Sequence, residues 1–210
     1  MSALVTLVRH GRTAHNAAGR FQGWIDIPLD EGGHAQARLL AARLAQHKRP
    51  PTRLYTSDLR RARQTAEHLE NALQLNAVVT SQLREMNIGT WEGLTFAEIA
   101  ALDAEAFRAW PFQEGPAGES MDHVARRVGA FYDTLSLQEG EHAVIVTHGV
   151  TITALLCNLL GWDSREAWAE KRGLHVNTAM TTLEISTEGH VSCPLLACNL
   201  HLETLHHSQV

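Results

Sequence analysis

The chain has 210 residues, 44% of them hydrophobic and 20% charged, with a formal net charge of -5. This is ordinary globular composition with apolar material for a substantial core, and the length suits one large domain over 1–210. The acidic balance gives no support to nucleic-acid or anionic-membrane binding, so an anionic substrate would have to meet a local positive potential.

The first element is the apolar, β-branched run Leu4-Val5-Thr6-Leu7-Val8, which reads as a buried strand ending at Arg9-His10-Gly11. No basic leader precedes it, and Arg9 arrives too soon for a signal-peptide apolar segment. No apolar run is long enough to span a bilayer, so the cytosol is the expected location. A polar segment with Gly19, Gly23, Pro28 and the Gly32-Gly33 pair reads as a loop. Helical spacing follows from about His34 to Gln46, stopped by Pro50-Pro51. Arg53-Leu54-Tyr55-Thr56 is a second strand, and Ser57 reads as the N-cap of a helix through Leu59, Ala62, Ala66, Leu69 and Leu73. Ala77-Val78-Val79-Thr80 is a third strand. The stretch 83–93 is turn-rich, two helices are expected near 95–110, Pro111 and Pro116 mark a loop, and a helix is expected over roughly 119–138.

Ala143-Val144-Ile145-Val146 is a fourth strand, ending at Thr147-His148-Gly149 and followed by a helix stopped by Gly161. Residues 178–185 and 191–198 read as two strands around the turn Thr187-Glu188-Gly189. Alternating strands and helices predict a three-layer α/β/α sandwich, mostly parallel, with an antiparallel edge strand. The three cysteines, Cys157, Cys193 and Cys198, show no pairing pattern and are expected as reduced thiols.

Two buried strands end in a His-Gly pair. Ligands of open α/β sheets bind at the carboxyl ends of strands, so neighbouring strands would aim both imidazoles into one crevice, where each glycine lets the chain turn and approach a ligand. Phosphoryl oxygens need positive charge and several donors. Arg9 stands beside His10, and Arg60, Arg61 and Arg63 follow the second strand, where a helix N-terminus would also favour an anion.

Leu7-Val8-Arg9-His10-Gly11-Arg12-Thr13-Ala14-His15-Asn16 resembles the phosphohistidine signature of the histidine phosphatase superfamily, which is phosphoglycerate mutase-like. The stretches Phe21-Gln22-Gly23-Trp24, Ser57-Asp58-Leu59-Arg60-Arg61-Ala62-Arg63-Gln64-Thr65-Ala66, Leu83-Arg84-Glu85-Met86, Gly118-Glu119-Ser120 and Val146-Thr147-His148-Gly149 resemble its later motifs, in the family's order, across about 4–185. Each motif is short; their order carries the resemblance. It implies that His10 is the nucleophile. Arg9, Arg61 and His148 hold the phosphoryl oxygens, and Glu85 is the acid and then the base. Asn16, Gln22 and Gly23 contact substrate. A cap is built from about 86–118, with no cofactor or metal in the scheme. His10 must be neutral to attack, which adjacent cations favour; Glu85 must hold a proton, which burial and an anionic substrate favour.

The implied partner is a small phosphorylated metabolite, and homodimerisation stays open. Gly89-Thr90-Trp91-Glu92-Gly93 resembles the phosphatase branch, and Arg108 is the only basic residue over 94–117. A cofactor-dependent phosphoglycerate mutase is the alternative, and a catalytically silent phosphate-binding module a third. After Gly149 the chain reads Val150-Thr151-Ile152-Thr153, where the family often has a second glycine and a later arginine. Phe21, Trp24, Trp91, Phe107, Trp110 and Phe112 are candidates for a pocket wall or for core packing alike. His15 is left as a question of whether it lines the pocket, the other histidines read as structural or surface, and the stretch from His201 to His207 as a solvated tail.

Overall fold

The computed structural model describes residues 2–114 and 118–203. The opening apolar run forms β1 (Ala3–Arg9), with Val5, Leu7 and Val8 fully buried. A short α1 (Ala14–Ala17) follows, closed by a capping box between Thr13 and Asn16. Then come α2 (Glu31–Ala45), β2 (Arg53–Ser57), α3 (Arg60–Leu73), β3 (Ala77–Thr80), α4 (Phe96–Leu102), α5 (Ala104–Ala109) and α6 (Met121–Asp133). The last third holds β4 (His142–Thr147), α7 (Gly149–Leu160), α8 (Ser164–Ala169), β5 (Met180–Ile185) and β6 (Val191–Cys198). The strands form one sheet in the order β3-β2-β4-β1-β5-β6. Pairings among β1 to β4 are parallel, and β5 and β6 are antiparallel to their neighbours.

Side chains alternate across the sheet and so feed two cores. Val5, Leu7 and Ile145 pack with Val128 and Phe131 of α6 and Ile152 and Leu155 of α7. Val8, Val144 and Val146 pack on the other face with Leu40 and Leu44 of α2 and Ala62, Ala66 and Leu69 of α3. The expected three-layer sandwich is therefore present. A third cluster, centred on Met86, Ile88, Trp91, Ile99 and Met121, gathers the segment between β3 and α6. All three cysteines are free. Among the described residues no helix is long and apolar enough to cross a membrane.

Several boundaries differ from the sequence reading. The Gly32-Gly33 pair is the first turn of α2, not loop, because Asp30 caps it through the Gly33 amide at 2.7 Å. Ser57 is the last residue of β2 rather than an N-cap. Leu59 is still extended, so α3 starts at Arg60 with no side-chain cap. The helix expected over 119–138 ends at Asp133, although Leu135 beyond it stays buried. Helix α8 carried no periodic signal that was read. His201 is half-buried in a short turn, its Nε2 at 3.1 Å from Thr178 Oγ1, so it is not a solvated tail residue. His206, His207 and Pro116 lie outside the described residues.

Candidate active site

Strands β1 and β4 are parallel neighbours with Arg9 opposite Thr147, so both His-Gly pairs leave the same edge of the sheet. The two imidazole centroids are 5.1 Å apart, and both rings are buried. His10 Nδ1 lies 2.7 Å from the carbonyl oxygen of its own neighbour Gly11. A carbonyl only accepts, so Nδ1 carries the hydrogen and the lone pair of the neutral ring sits on Nε2. Burial above all, then the Arg61 and Arg9 guanidiniums, hold the His10 pKa well below its ordinary value. The ring is therefore neutral at physiological pH.

His148 is tethered at its other nitrogen. Its Nε2 is 2.9 Å from Ser57 Oγ, which also accepts the Leu59 amide at 3.3 Å. A Ser57 hydroxyl that donates to Nε2 leaves the hydrogen of the neutral ring on Nδ1. That Nδ1 is buried and has no partner among the described residues. Burial, then Arg61, His10 and Arg9, keep the His148 pKa well below normal as well.

Both arginines are braced by carbonyls. Arg9, at the end of β1, donates from Nη1 to the His175 oxygen at 2.5 Å. Arg61, in the first turn of α3 and 1% exposed, donates from Nη1 to Ile25 O at 2.9 Å and from Nη2 to Gly23 O at 2.8 Å. The Nε of each is buried without a partner among the described residues. Burial lowers both pKa values, that of Arg61 to about 10, with Glu85 opposing in each case. Both remain charged at neutral pH.

Glu85 reaches the first turn of α7. Its Oε2 accepts the Val150 amide at 3.3 Å, and its Oε1 accepts the Met86 amide at 3.0 Å and the Thr151 amide at 3.2 Å. A side chain begun at Gly149 would lie 3.8 Å from both Glu85 Oε2 and the Arg9 guanidinium, so the acid and the cation meet across that glycine. Asn16 Oδ1 accepts from the Thr13 amide and from Asn177 Nδ2, at 3.2 and 3.1 Å, leaving its own amide group for a ligand. Gln22 Oε1 accepts from Thr13 Oγ1 at 2.9 Å, which leaves Nε2. Gly23 has φ +50 and orients Arg61 through its carbonyl.

All eight expected residues except His148 line one cavity of about 560 Å³, and His148 stands behind His10. Arg60 is exposed and its amide is held by Asp26 at 2.6 Å, while Arg63 faces Glu70 at 3.7 Å; neither lines the cavity. His15 does not line it either. Of the six aromatic candidates only Phe21 and Trp110 do, Trp91 being core.

The role of Gly11 differs from expectation. A Cβ there would meet the Gly33 oxygen at 2.6 Å, and one on Gly33 the Arg12 oxygen at 2.0 Å, so the constraint is backbone against backbone. Thr65 Oγ1 fixes the same loop by accepting the Gly11 amide at 3.0 Å. Sequence reasoning missed Ser57 as the partner of His148, and it missed Asn177, which donates to His10 O at 3.1 Å and to Asn16. Thr65 was inside a recognised motif; Asn177 had no signal. Arranged this way, a neutral imidazole stands beside two buried arginines whose Nε atoms have no partner among the described residues, with a carboxyl group alongside. Such a site can accept a phosphoryl group and move a proton.

A family model described as the histidine phosphatase superfamily (branch 1) matches residues 5–194. The chain is 34% identical over 190 residues to a putative phosphoserine phosphatase 2 of Hydrogenobacter thermophilus, covering 89% of this chain and 90% of that one. It is 39% identical over 174 residues to a probable phosphoglycerate mutase of Yersinia pestis, covering 80% and 78%. A mycobacterial glucosyl-3-phosphoglycerate phosphatase solved with VO3 superposes with a TM-score of 0.83 at 33% identity, covering 93% of this chain and 98% of that one.

Proposed function

Because the chain belongs to the histidine phosphatase superfamily, branch 1, we propose that it is a metal-independent phosphomonoester hydrolase working through a phosphohistidine at His10. The observation that carries this reading is that Arg9 Nε, Arg61 Nε and His148 Nδ1 are buried without partners among the described residues, in side chains gathered around an imidazole whose lone pair is at Nε2. Buried donors without acceptors are costly in an isolated protein, and a phosphoryl group satisfies all three.

In the first step His10 Nε2 attacks phosphorus. The P–N bond forms as the bond to the ester oxygen breaks, and Glu85 gives its proton to that oxygen. Arg9, Arg61 and His148 hold the charge on the remaining oxygens, helped by the N-terminus of α7, while Asn16 and Gln22 donate amide hydrogens. Water then attacks the phosphohistidine, passes a proton to the Glu85 carboxylate, and the P–N bond breaks. The segment 86–118 acts as the cap of the single domain, and a small phosphorylated metabolite is the substrate.

A second reading, phosphoglycerate mutase, is favoured by the 39% identical relative of that name. One experiment separates the two. Protein pretreated with EDTA is given a panel of phosphomonoesters, and 3-phosphoglycerate with and without 2,3-bisphosphoglycerate, beside a His10→Ala control. Phosphate release that survives EDTA and disappears in the control supports the hydrolase. Interconversion of the phosphoglycerates without comparable release would make it a mutase.

A further inference from the structure

The cavity runs on past the phosphoryl end, and its far wall is aromatic. Phe96, Phe21, Trp110 and Trp168 form a continuous chain, with centroid distances of 4.5 Å from Phe21 to Phe96, 5.2 Å from Phe21 to Trp110 and 5.3 Å from Trp110 to Trp168. These rings come from three separate regions of the chain, the loop after α1, the α4–α5 segment and α8, yet all four line the same space. At the mouth, Phe96 is 59% exposed and Leu174 is 56% exposed. Apolar surface left in water at the rim of a concave site is surface that a ligand covers.

Two of the cations on the lining are already engaged by the protein. Beyond Arg9 and Arg61, Arg20 is engaged by the Gly93 carbonyl at 2.7 Å and by Glu98 at 3.0 Å. Arg172 pairs with Glu170 and lies over the Trp162 ring at 5.4 Å. Lys171 is exposed to solvent. The volume also exceeds what a three-carbon ester needs: about 560 Å³ falls inside the roughly 300–1,000 Å³ typical of sites for drug-sized ligands.

We infer that the substrate is a phosphomonoester whose alcohol carries an apolar body, ring- or chain-shaped, seated along the Phe96–Phe21–Trp110–Trp168 wall. The hydrolase reading supplies only the phosphoryl end of this inference; the body is read from the wall.

The test pairs binding with turnover. Binding of ethylphosphonate and 2-phenylethylphosphonate to the full chain is measured by calorimetry. In parallel, kcat/KM is measured for ethyl phosphate, 2-phenylethyl phosphate and phosphoserine. The two alkyl esters have leaving groups of similar basicity, so their ratio reads the body of the alcohol. The phenylethyl ligand is expected to bind at least about 30-fold tighter, with kcat/KM following in the same direction. Phe96→Ala and Trp168→Ala are each expected to shrink that ratio about 3- to 10-fold. Equal binding of the two phosphonates overturns the inference whatever the turnover, as does phosphoserine outrunning 2-phenylethyl phosphate. A ratio untouched in both variants overturns the wall as its cause. Tight phenylethyl binding with no phosphate released from any ester keeps the inference and removes the hydrolase reading.

Discussion

The carboxyl ends of β1 and β4 carry the same dipeptide in the same register and do opposite things with it. His10 is tied at Nδ1 by a carbonyl and offers a lone pair at Nε2; His148 is tied at Nε2 by the Ser57 hydroxyl, and a hydroxyl donating there leaves a hydrogen at Nδ1. Both are buried, and burial with the two arginines keeps both neutral. The difference between nucleophile and donor thus lies in the atom that holds the far side of each ring, and neither strand shows it locally.

The most severe way to break the pair is His10→Asn, which keeps polarity but removes the lone pair; kcat should fall at least about 10⁴-fold in a phosphate-release assay. Glu85→Gln should cost about 10² to 10⁴ in kcat. Its loss should be smaller for aryl phosphates, whose leaving oxygen needs less help; an equal loss across leaving groups would remove Glu85 as the acid. His148→Ala removes one fixed donor and should cost about 10²- to 10³-fold in kcat. Ser57→Ala is the sharpest probe of the contrast, because it leaves both rings in place. It should lower kcat about 3- to 10-fold and shift the ¹⁵N signals of His148 toward a mixture of tautomers. An unchanged spectrum would dismiss Ser57 as the tautomer-setting group.

A separate effect, on stability rather than turnover, concerns the histidine at the other end of β4. His142 is buried between Thr6 Oγ1 and the Arg49 carbonyl, and burial takes its pKa to about 4. The unfolded chain takes up that proton near pH 6.5 and the folded one only near 4, so stability is full above pH 6.5 and is lost as pH falls toward 4. The loss from this one group is about 3 kcal/mol at most, and His142→Gln should lessen the fall of the denaturant midpoint over that window, to which His175 and His201, also brought to about 4 by burial, contribute as well. The acid limb of kcat/KM should lie well below pH 6.5, since His10 stays neutral there.

The phosphoryl end was legible because its residues come in short motifs tied to strand ends. Arg9, His10 and Arg61 sit where a strand or helix terminus places them, whereas Glu85 lies in the irregular stretch after β3. Ser57 was misread because a serine before a helical stripe satisfies the capping rule by type; the extended Leu59 postpones the helix and frees the hydroxyl for His148. Gly32-Gly33 suggested a loop because glycine is a poor helix former, whereas close backbone contact at Arg12 requires Gly33. Asn177 and Trp168 reach the site through tertiary packing alone, with no period or motif around them to read. The aromatic candidates split between wall and core for the same reason.

The sheet order also dictates when the site comes into being. β1 is flanked by β4 and β5, both from the last third of the chain. A ribosome must therefore pass Thr147 before the nucleophile's strand gains its first neighbour, and reach Ile185 before it gains its second. Closing so long a loop makes assembly of the β1–β4–β5 centre a late, non-local event of folding. Until β4 is made, the nascent chain displays His10 and both arginine-bearing motifs without the histidine that completes them. Catalytic competence should switch on with synthesis of the C-terminal strands, well after the motif that names the family has left the exit tunnel.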